Sequence, residues 1–123
     1  IVAVEELEQA PTEFVLSQNY PNPFNPVTTI KYSIPESPLL RQSGSDGGGV
    51  RGGFVTLKIF DILGSEVKTL VNEQKSAGNY TVEWNGTNSS GYLVGSGVYI
   101  CKISVAGNSG KNFFQSKKMI FAK

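Results

Sequence analysis

Apolar and polar side chains alternate along most of this chain with a period of two, which is the pattern of a half-buried β-strand. Six runs show it, at residues 28–34, 55–60, 66–71, 80–84, 99–105 and 118–122. Residues 14–16 add a short opening strand, so the pattern predicts about seven strands. No segment repeats its apolar residues with the period of a helix, and the chain is therefore predicted to be all-β.

One row of each alternating run is expected to face the core. We expect that core to contain Leu57, Ile59, Val82, Trp84, Tyr99 and Ile103. Turn-forming residues separate the runs at 61–64, 72–78, 85–97 and 107–110. Short antiparallel strands with regular turns are typical of an immunoglobulin-like β-sandwich. The paired cysteines of antibody domains are absent, so only the architecture is implied.

The length of 123 residues fits one domain. Residues 1–12 are interpreted as a linker from an upstream domain, and residues 13–123 as the domain itself. Residues 43–53 hold six glycines and little that could be buried, which predicts a flexible loop inserted between two strands. That loop lacks the pattern of a phosphate-binding loop.

Composition excludes most catalytic and metal-binding chemistry. The chain has no histidine, and Cys101 is its only cysteine, so an internal disulfide, a Cys/His zinc site and imidazole catalysis are all excluded. Cys101 lies on an inward row and is expected to be an inert thiol. The oxygen-rich turn at residues 85–91 carries no charge and is expected to be a polar loop without calcium. We expect no enzymatic activity, no cofactor and no metal.

Charge is nearly balanced overall but unevenly distributed. The net charge of +1 argues against a nucleic-acid partner, and no apolar run is long enough for a membrane span. Four glutamates lie within the first thirteen residues, whereas only lysines carry charge after Glu83. The basic end is either a solvated strand face or a surface for a partner.

Two stretches of the sequence are more specific than this alternation. The first is Leu-Ser-Gln-Asn-Tyr-Pro-Asn-Pro-Phe-Asn-Pro at residues 16–26, and the second combines Trp-Asn-Gly at 84–86, Gly-Val-Tyr at 97–99 and Lys-Lys-Met-Ile-Phe-Ala-Lys at 117–123. From about residue 14 to residue 123, the chain resembles the type A C-terminal sorting domain of the bacterial type IX secretion system. That family has an immunoglobulin-like sandwich related to the one in the flagellar hook-capping protein.

The resemblance implies a non-catalytic sorting signal. Such domains lie at the C-terminus of exported proteins of Bacteroidetes-like bacteria, and they direct the cargo in the same chain across the periplasm and the outer membrane. The implied partners are the outer-membrane translocon and a sortase, and the implied destination is release or attachment at the cell surface. The alternative is an accessory carbohydrate-binding or structural β-sandwich module of a secreted hydrolase. Its candidate sugar-stacking rings, near turns or strand ends, are Tyr20, Phe24, Tyr92, Phe113 and Phe114.

The proline segment (residues 17–26) provides one group of candidate residues: Asn22, Pro23, Phe24, Asn25 and Pro26. Because proline fixes its own φ and favours extended geometry before it, we expect a stiff, irregular crossing without ladder hydrogen bonds. Asn22 and Asn25 are expected to close local turns, and Phe24 to plug one end of the sandwich. The segment either joins two strands or contacts the translocon directly.

The terminal segment (residues 117–123) provides the other group. We expect Lys117, Lys118 and Lys123 to form the address that the export machinery reads, with Met119 and Phe121 as packing anchors. A lysine cluster raises the encounter rate with an acidic partner surface. A terminal strand at a sheet edge also offers its backbone to a partner strand. The competing interpretation is that this strand only completes the sandwich.

Overall fold

The structure, a computed structural model, describes residues 13–35, 52–107 and 112–123. Their strands are β1 (Val15–Leu16), β2 (Thr28–Ile34), β3 (Gly52–Asp61), β4 (Glu66–Ser76), β5 (Gly78–Trp84), β6 (Gly97–Ala106) and β7 (Asn112–Phe121). One sheet has the order β1-β2-β5 and the other the order β4-β3-β6-β7, with antiparallel pairing throughout. The prediction of an all-β, immunoglobulin-like sandwich of about seven strands is confirmed.

The predicted glycine loop differs from the structure at its C-terminal end. The expected linker at residues 1–12 and residues 43–51 of the loop lie outside the described residues. Residues 52 and 53 were expected to be flexible but begin β3. Gly53 is buried against the backbone of Ala106 so closely that a β-carbon would collide with the carbonyl group. A glycine is therefore required there by packing between β3 and β6.

The core consists of the inward rows of the central strands. Its buried members on β2, β3 and β6 are Ile30, Tyr32, Ile34, Val55, Leu57, Ile59, Tyr99, Cys101, Ile103 and Val105. Trp84 is buried as expected, but Val82 is only half-buried. Val82 lies on β5, which is the edge of the three-stranded sheet, so one flank of its side chain lacks a neighbouring strand.

Strand β4 is longer than predicted. The turn expected at residues 72–78 is wrong, because β4 continues to Ser76 and only one residue separates it from β5. Its pairing with β3 persists through Asn72 and Ser76 although residues 72–74 are exposed. At this sheet edge the backbone pairs without burying side chains, so the alternation of apolar and polar residues is lost.

An aromatic cluster fills one end of the sandwich. The Phe24 ring stacks on Phe121 with 5.0 Å between ring centres and lies 5.5 Å from the ring centre of Trp84. Tyr99 meets Trp84 edge-on at 5.4 Å. The Trp84 indole N–H donates to the carbonyl oxygen of Thr87 at 2.9 Å, so the buried nitrogen has an acceptor. Phe24 therefore plugs the end of the sandwich as expected, and its burial removes it from the candidate sugar-stacking rings of the alternative function.

The side chain of Gln115 joins the two sheets along one side. Its Oε1 accepts the backbone N–H of Leu16 at 2.7 Å, and its Nε2 donates to the carbonyl oxygen of Phe14 at 2.9 Å. The amide thus replaces a peptide group of a neighbouring strand, linking β1 of one sheet to β7 of the other.

Replacement of Phe24 by Ala is expected to lower the free energy of unfolding by about 3–5 kcal/mol, because the variant loses buried ring contacts and leaves a cavity. The measurement is denaturant unfolding followed by the fluorescence of the single tryptophan. The matched control is Tyr20→Ala in the same segment, where the ring is 79% exposed and the expected change is within about 0.5 kcal/mol. Equal losses of unfolding free energy in the two variants would contradict the role of Phe24 as a plug of the sandwich.

Burial raises the pKa of the Cys101 thiol to about 12. At about pH 8.5, where an ordinary cysteine is half ionised, this thiol stays protonated and is expected to resist alkylation by iodoacetamide. Mass spectrometry of protein treated in buffer and in concentrated guanidinium checks this. Rapid labelling of the folded protein would show that Cys101 is not in the core.

Candidate partner-binding end of the sandwich

The antiparallel pairing brings several loops together at one end of the molecule. Strands β3, β5 and β7 finish at this end, and β2, β4 and β6 begin there. The proline segment, the turn at residues 62–65, the loop at residues 85–96 and residues 122–123 therefore share it. We call it the C-terminal end of the sandwich.

The proline segment and the terminal segment are in direct contact. The Phe24 N–H donates to the carbonyl oxygen of Ile120 at 2.9 Å, and the N–H of Ala122 donates to the carbonyl oxygen of Phe24 at 3.0 Å. The side-chain Oδ1 of Asn22 accepts the N–H of Ile120 at 2.9 Å. The most specific parts of the sequence, far apart along the chain, thus form one hydrogen-bonded unit.

The Trp-Asn-Gly piece lies against the same unit. Gly86 has a φ of +74°, in the left-handed region that favours glycine. A β-carbon on it would lie 3.2 Å from the Phe121 ring and 3.2 Å from the carbonyl oxygen of Pro26. Conformation and space both favour glycine here.

Two expectations for the proline segment are wrong. Tyr20 exchanges backbone hydrogen bonds of 3.0 and 2.9 Å with Thr29, and Phe24 bonds to β7, so the segment does form ladder bonds. These two residues keep the N–H groups that the neighbouring prolines lack. Asn22 bonds to β7 instead of closing a local turn. Pro23, Asn25 and Pro26 are exposed.

Asn19 is a buried polar residue that the sequence interpretation missed. Its side-chain Nδ2 donates to Thr28 Oγ1 at 2.9 Å and to the carbonyl oxygen of Pro21 at 3.1 Å. Thr28 Oγ1 donates to that same carbonyl at 2.8 Å. Asn19 and Thr28 are both nearly inaccessible to solvent, so this cluster fixes the entry of the proline segment from inside the fold.

The outer edge of β7 is covered near the C-terminus. Besides the bonds to Asn22 and Phe24, the Nε2 of Gln18 donates to the carbonyl oxygen of Lys118 at 2.8 Å. The expectation that a partner strand could extend this edge is therefore wrong along residues 118–122, where the protein's own segment occupies it.

The lysines of the terminal segment do not form one cluster. Lys117 lies half-buried on the inward row of β7, whereas Lys118 is exposed on the opposite face. Lys123 lies five residues beyond Lys118, about 17 Å along an extended chain, with its Nζ 6.0 Å from the centre of the Phe121 ring. Met119 and Phe121 are buried in the core.

Exposed apolar side chains gather at the C-terminal end of the sandwich. They are Tyr20, Val27, Ile62, Leu63, Tyr92 and Leu93. Leu63 is 89% exposed and Ile62 is 70% exposed. The sequence interpretation treated residues 61–64 only as a turn. The overlooked signal was an Ile-Leu pair in a position where turns usually carry small or polar residues.

Side-chain hydrogen bonds hold both apolar loop tips in place. Asp61 Oδ1 accepts the N–H of Leu63 at 3.0 Å, and Asn88 Oδ1 accepts the N–H of Tyr92 at 3.0 Å. The residue after Asn88 donates its own N–H to the Val67 carbonyl oxygen of β4 at 3.0 Å. The two loops are thus fixed next to each other, and Asp61 and Asn88 line one cleft between them.

The carboxylates at this end are those of Asp61 and Glu66, which line the cleft between the two loops. Within residues 13–35, 52–107 and 112–123, no three His, Cys, Asp or Glu side chains cluster as metal ligands would. Hydrogen bonds from Thr69 and Lys58 lower the pKa of the Glu66 carboxyl, which favours its ionised form. Glu73 and Glu83 are exposed.

The structure buries some of the aromatic candidates for sugar stacking and exposes the others. Phe24 is buried, and Phe113 is half-buried with its ring edge-on to Phe14 at 5.9 Å. Tyr20, Tyr92 and Phe114 are exposed, but Phe114 lies on a sheet face away from the C-terminal end.

Part of the chain matches a known family. Residues 52–110, just under half of the chain, match the family described as FlgD Ig-like domain. No curated protein matches this chain in sequence. In the part of the chain that the structure describes, no helix has the length and apolar character needed to cross a membrane.

Two crystal structures resemble the fold. Dimeric latent PorU from Porphyromonas gingivalis superposes with a TM-score of 0.62 and 20% identity over 93% of this chain, which spans only 10% of the PorU chain. FlgD from Xanthomonas campestris, described in hook capping for flagellar assembly, gives a TM-score of 0.52 and 19% identity over 87% of this chain and 67% of FlgD. At these identities the likeness shows the fold, an immunoglobulin-like β-sandwich module.

Proposed function

We propose that this chain is a non-catalytic sorting domain of the type IX secretion system, of type A. In this proposal residues 13–123 form the domain and residues 1–12 link it to a cargo protein in the same chain. The domain directs that cargo through the periplasm to the outer-membrane translocon, and a sortase acts before release or attachment at the cell surface. The observation that carries the proposal is the contact between the proline segment and the terminal segment.

That contact supports sorting because it assembles the parts of the sequence that resemble the sorting family. The proline segment and the terminal segment each help to hold the fold together. Both also lie at the C-terminal end of the sandwich, next to its exposed apolar side chains. Large exposed apolar groups are a common mark of a protein interaction site. The adjacent apolar tips, Ile62–Leu63 and Tyr92–Leu93, are the proposed contact with the translocon.

The position of the other end of the domain fits this arrangement. Val15 pairs with Ser33, so the described chain enters the sandwich at the end opposite Thr28 and the proline segment. A cargo joined before residue 13 is therefore attached away from the C-terminal end. The translocon can then bind the apolar tips without a clash with the cargo.

Replacement of Ile62 and Leu63 together by Ser is expected to abolish surface display without changing the melting temperature, because both side chains are exposed. The experiment fuses the chain to a reporter in a bacterium with a type IX system and measures display, cell-associated reporter and the melting of the purified domain. The matched control is Phe114→Ser, which removes an exposed apolar ring from a different face.

Display that is lost equally in the control, or lost only together with a lower melting temperature, would contradict the proposed contact. Normal display of the Ile62/Leu63 variant would also contradict it. Each of these outcomes is distinguishable because folding is measured on the same variants.

Single charge reversals distinguish the contributions of the three lysines to surface display. Lys123 shares the C-terminal end with the apolar tips, whereas Lys117 and Lys118 face opposite sides of β7. We expect Lys123→Glu to reduce the rate of display more than Lys117→Glu or Lys118→Glu, because steering depends on the local field at the contact. Unchanged display in all three variants would remove the electrostatic part of the proposal.

A further inference from the structure

A groove crosses the outer face of the four-stranded sheet. It has a volume of about 390 Å³, and we call it the outer groove. Phe60 on β3 and Phe114 on β7 line it, with Lys102 and Ser104 of β6 between them. Phe114 is 69% exposed, so its ring is available to a ligand.

The strand register explains how the outer groove forms. Thr56 pairs with Ser104, and Ser104 pairs with Phe114, so small hydroxyl side chains lie beside an aromatic ring on one face. Phe60 pairs with Ile100, four residues away from Ser104 along β6. The two rings are therefore at opposite ends of a shallow trough. The distance between strands and the rise per residue place them about 16 Å apart.

The outer groove carries an uncompensated positive charge within the described residues. Lys58 forms an ion pair of 3.1 Å with Glu66. Lys102 lies opposite Lys58 in the register, and no carboxylate of the described residues pairs with it. Its ammonium group lies 5.2 Å from the centre of the Phe60 ring. This charge favours an anionic ligand.

We propose that the outer groove binds an acidic oligosaccharide. One sugar ring packs its C–H face on Phe114, its neighbours' hydroxyl groups bond to Thr56, Ser104 and Ser116, and a carboxylate lies at Lys102. An apolar wall with a few convergent polar groups is the usual composition of a small-molecule site. This ligand class is independent of the sorting function, since none of these residues lies at the C-terminal end.

An acidic peptide suits the outer groove less well. Extended peptides gain much of their affinity from main-chain hydrogen bonds at an open sheet edge. The outer groove lies on a sheet face above β6, and the backbone of β6 is already paired on both sides, with β3 and with β7. Hydroxyl groups, an aromatic ring and the ammonium group of Lys102 remain as the available contacts, and this combination matches an acidic sugar.

The test uses a short oligogalacturonate as the probe and the isotopically labelled chain in nuclear magnetic resonance titrations. We expect shifts at Ser104, Phe114 and Ser116. Lys102→Gln is expected to weaken binding about tenfold, the scale of a lost charge-assisted contact, and Phe114→Ala is expected to weaken it about tenfold because the sugar ring loses its packing surface. Lys102→Arg should keep the affinity within a few fold. Tyr92→Ala is the matched control with a similarly exposed ring at another site and should bind normally.

Several outcomes would overturn the proposal. These are no shifts at millimolar probe, shifts confined to the loop around Tyr92, or equal binding of a neutral galactose oligomer. Poly-glutamate that binds the same residues as tightly as the oligogalacturonate would instead identify an acidic protein segment as the ligand. Surface display is measured separately, so a failure of the oligosaccharide proposal can be distinguished from a failure of the sorting proposal.

Discussion

The packing of Phe24 between Trp84 and Phe121 is the contact on which the rest of the architecture depends. Trp84 belongs to the three-stranded sheet and Phe121 to the four-stranded sheet, whereas Phe24 belongs to an irregular segment between β1 and β2. The Phe24 ring therefore contacts both sheets at the end of the sandwich, beyond the last residues of the strands. Aromatic pairs of this kind add about 0.5–1.5 kcal/mol each beyond the burial of their area. The proline segment must follow the path that keeps this ring inside.

The same path solves the problem of an exposed strand edge. An unpaired edge strand presents a row of backbone donors and acceptors that other chains can bind. Here three side-chain amides, from Gln18, Asn22 and Gln115, bond to backbone groups of β7, of β1 or of the residue just before β1. Amide side chains thus take the place of a regular strand. The opposite edge, on β4, instead carries polar residues, with an ion pair of 2.9 Å between Lys75 and Glu73.

Alternation along the chain was enough to predict the sandwich and the inward rows of β2, β3 and β6, because these strands bury one face completely. It failed where strands lie at sheet edges, as for the length of β4 and the partial burial of Val82. It also did not reveal the bond from Asn22 to Ile120 or the cluster around Asn19. Those contacts join residues whose proximity depends on the whole fold, and no local pattern encodes it. The opposite orientation of Lys117 and Lys118, by contrast, follows directly from the period of two.

Residues at the C-terminal end divide into those that hold the fold and those that the fold only displays. Phe24, Asn19 and Gly86 are constrained by burial, by hydrogen bonds or by conformation, so their presence is explained without any partner. Ile62 and Leu63 are different, because Asp61 holds their turn through its carboxylate and the backbone alone. Polar residues would satisfy the same turn and would be more soluble. The stability of the sandwich therefore does not account for this apolar pair, whereas the partner proposed for the C-terminal end would.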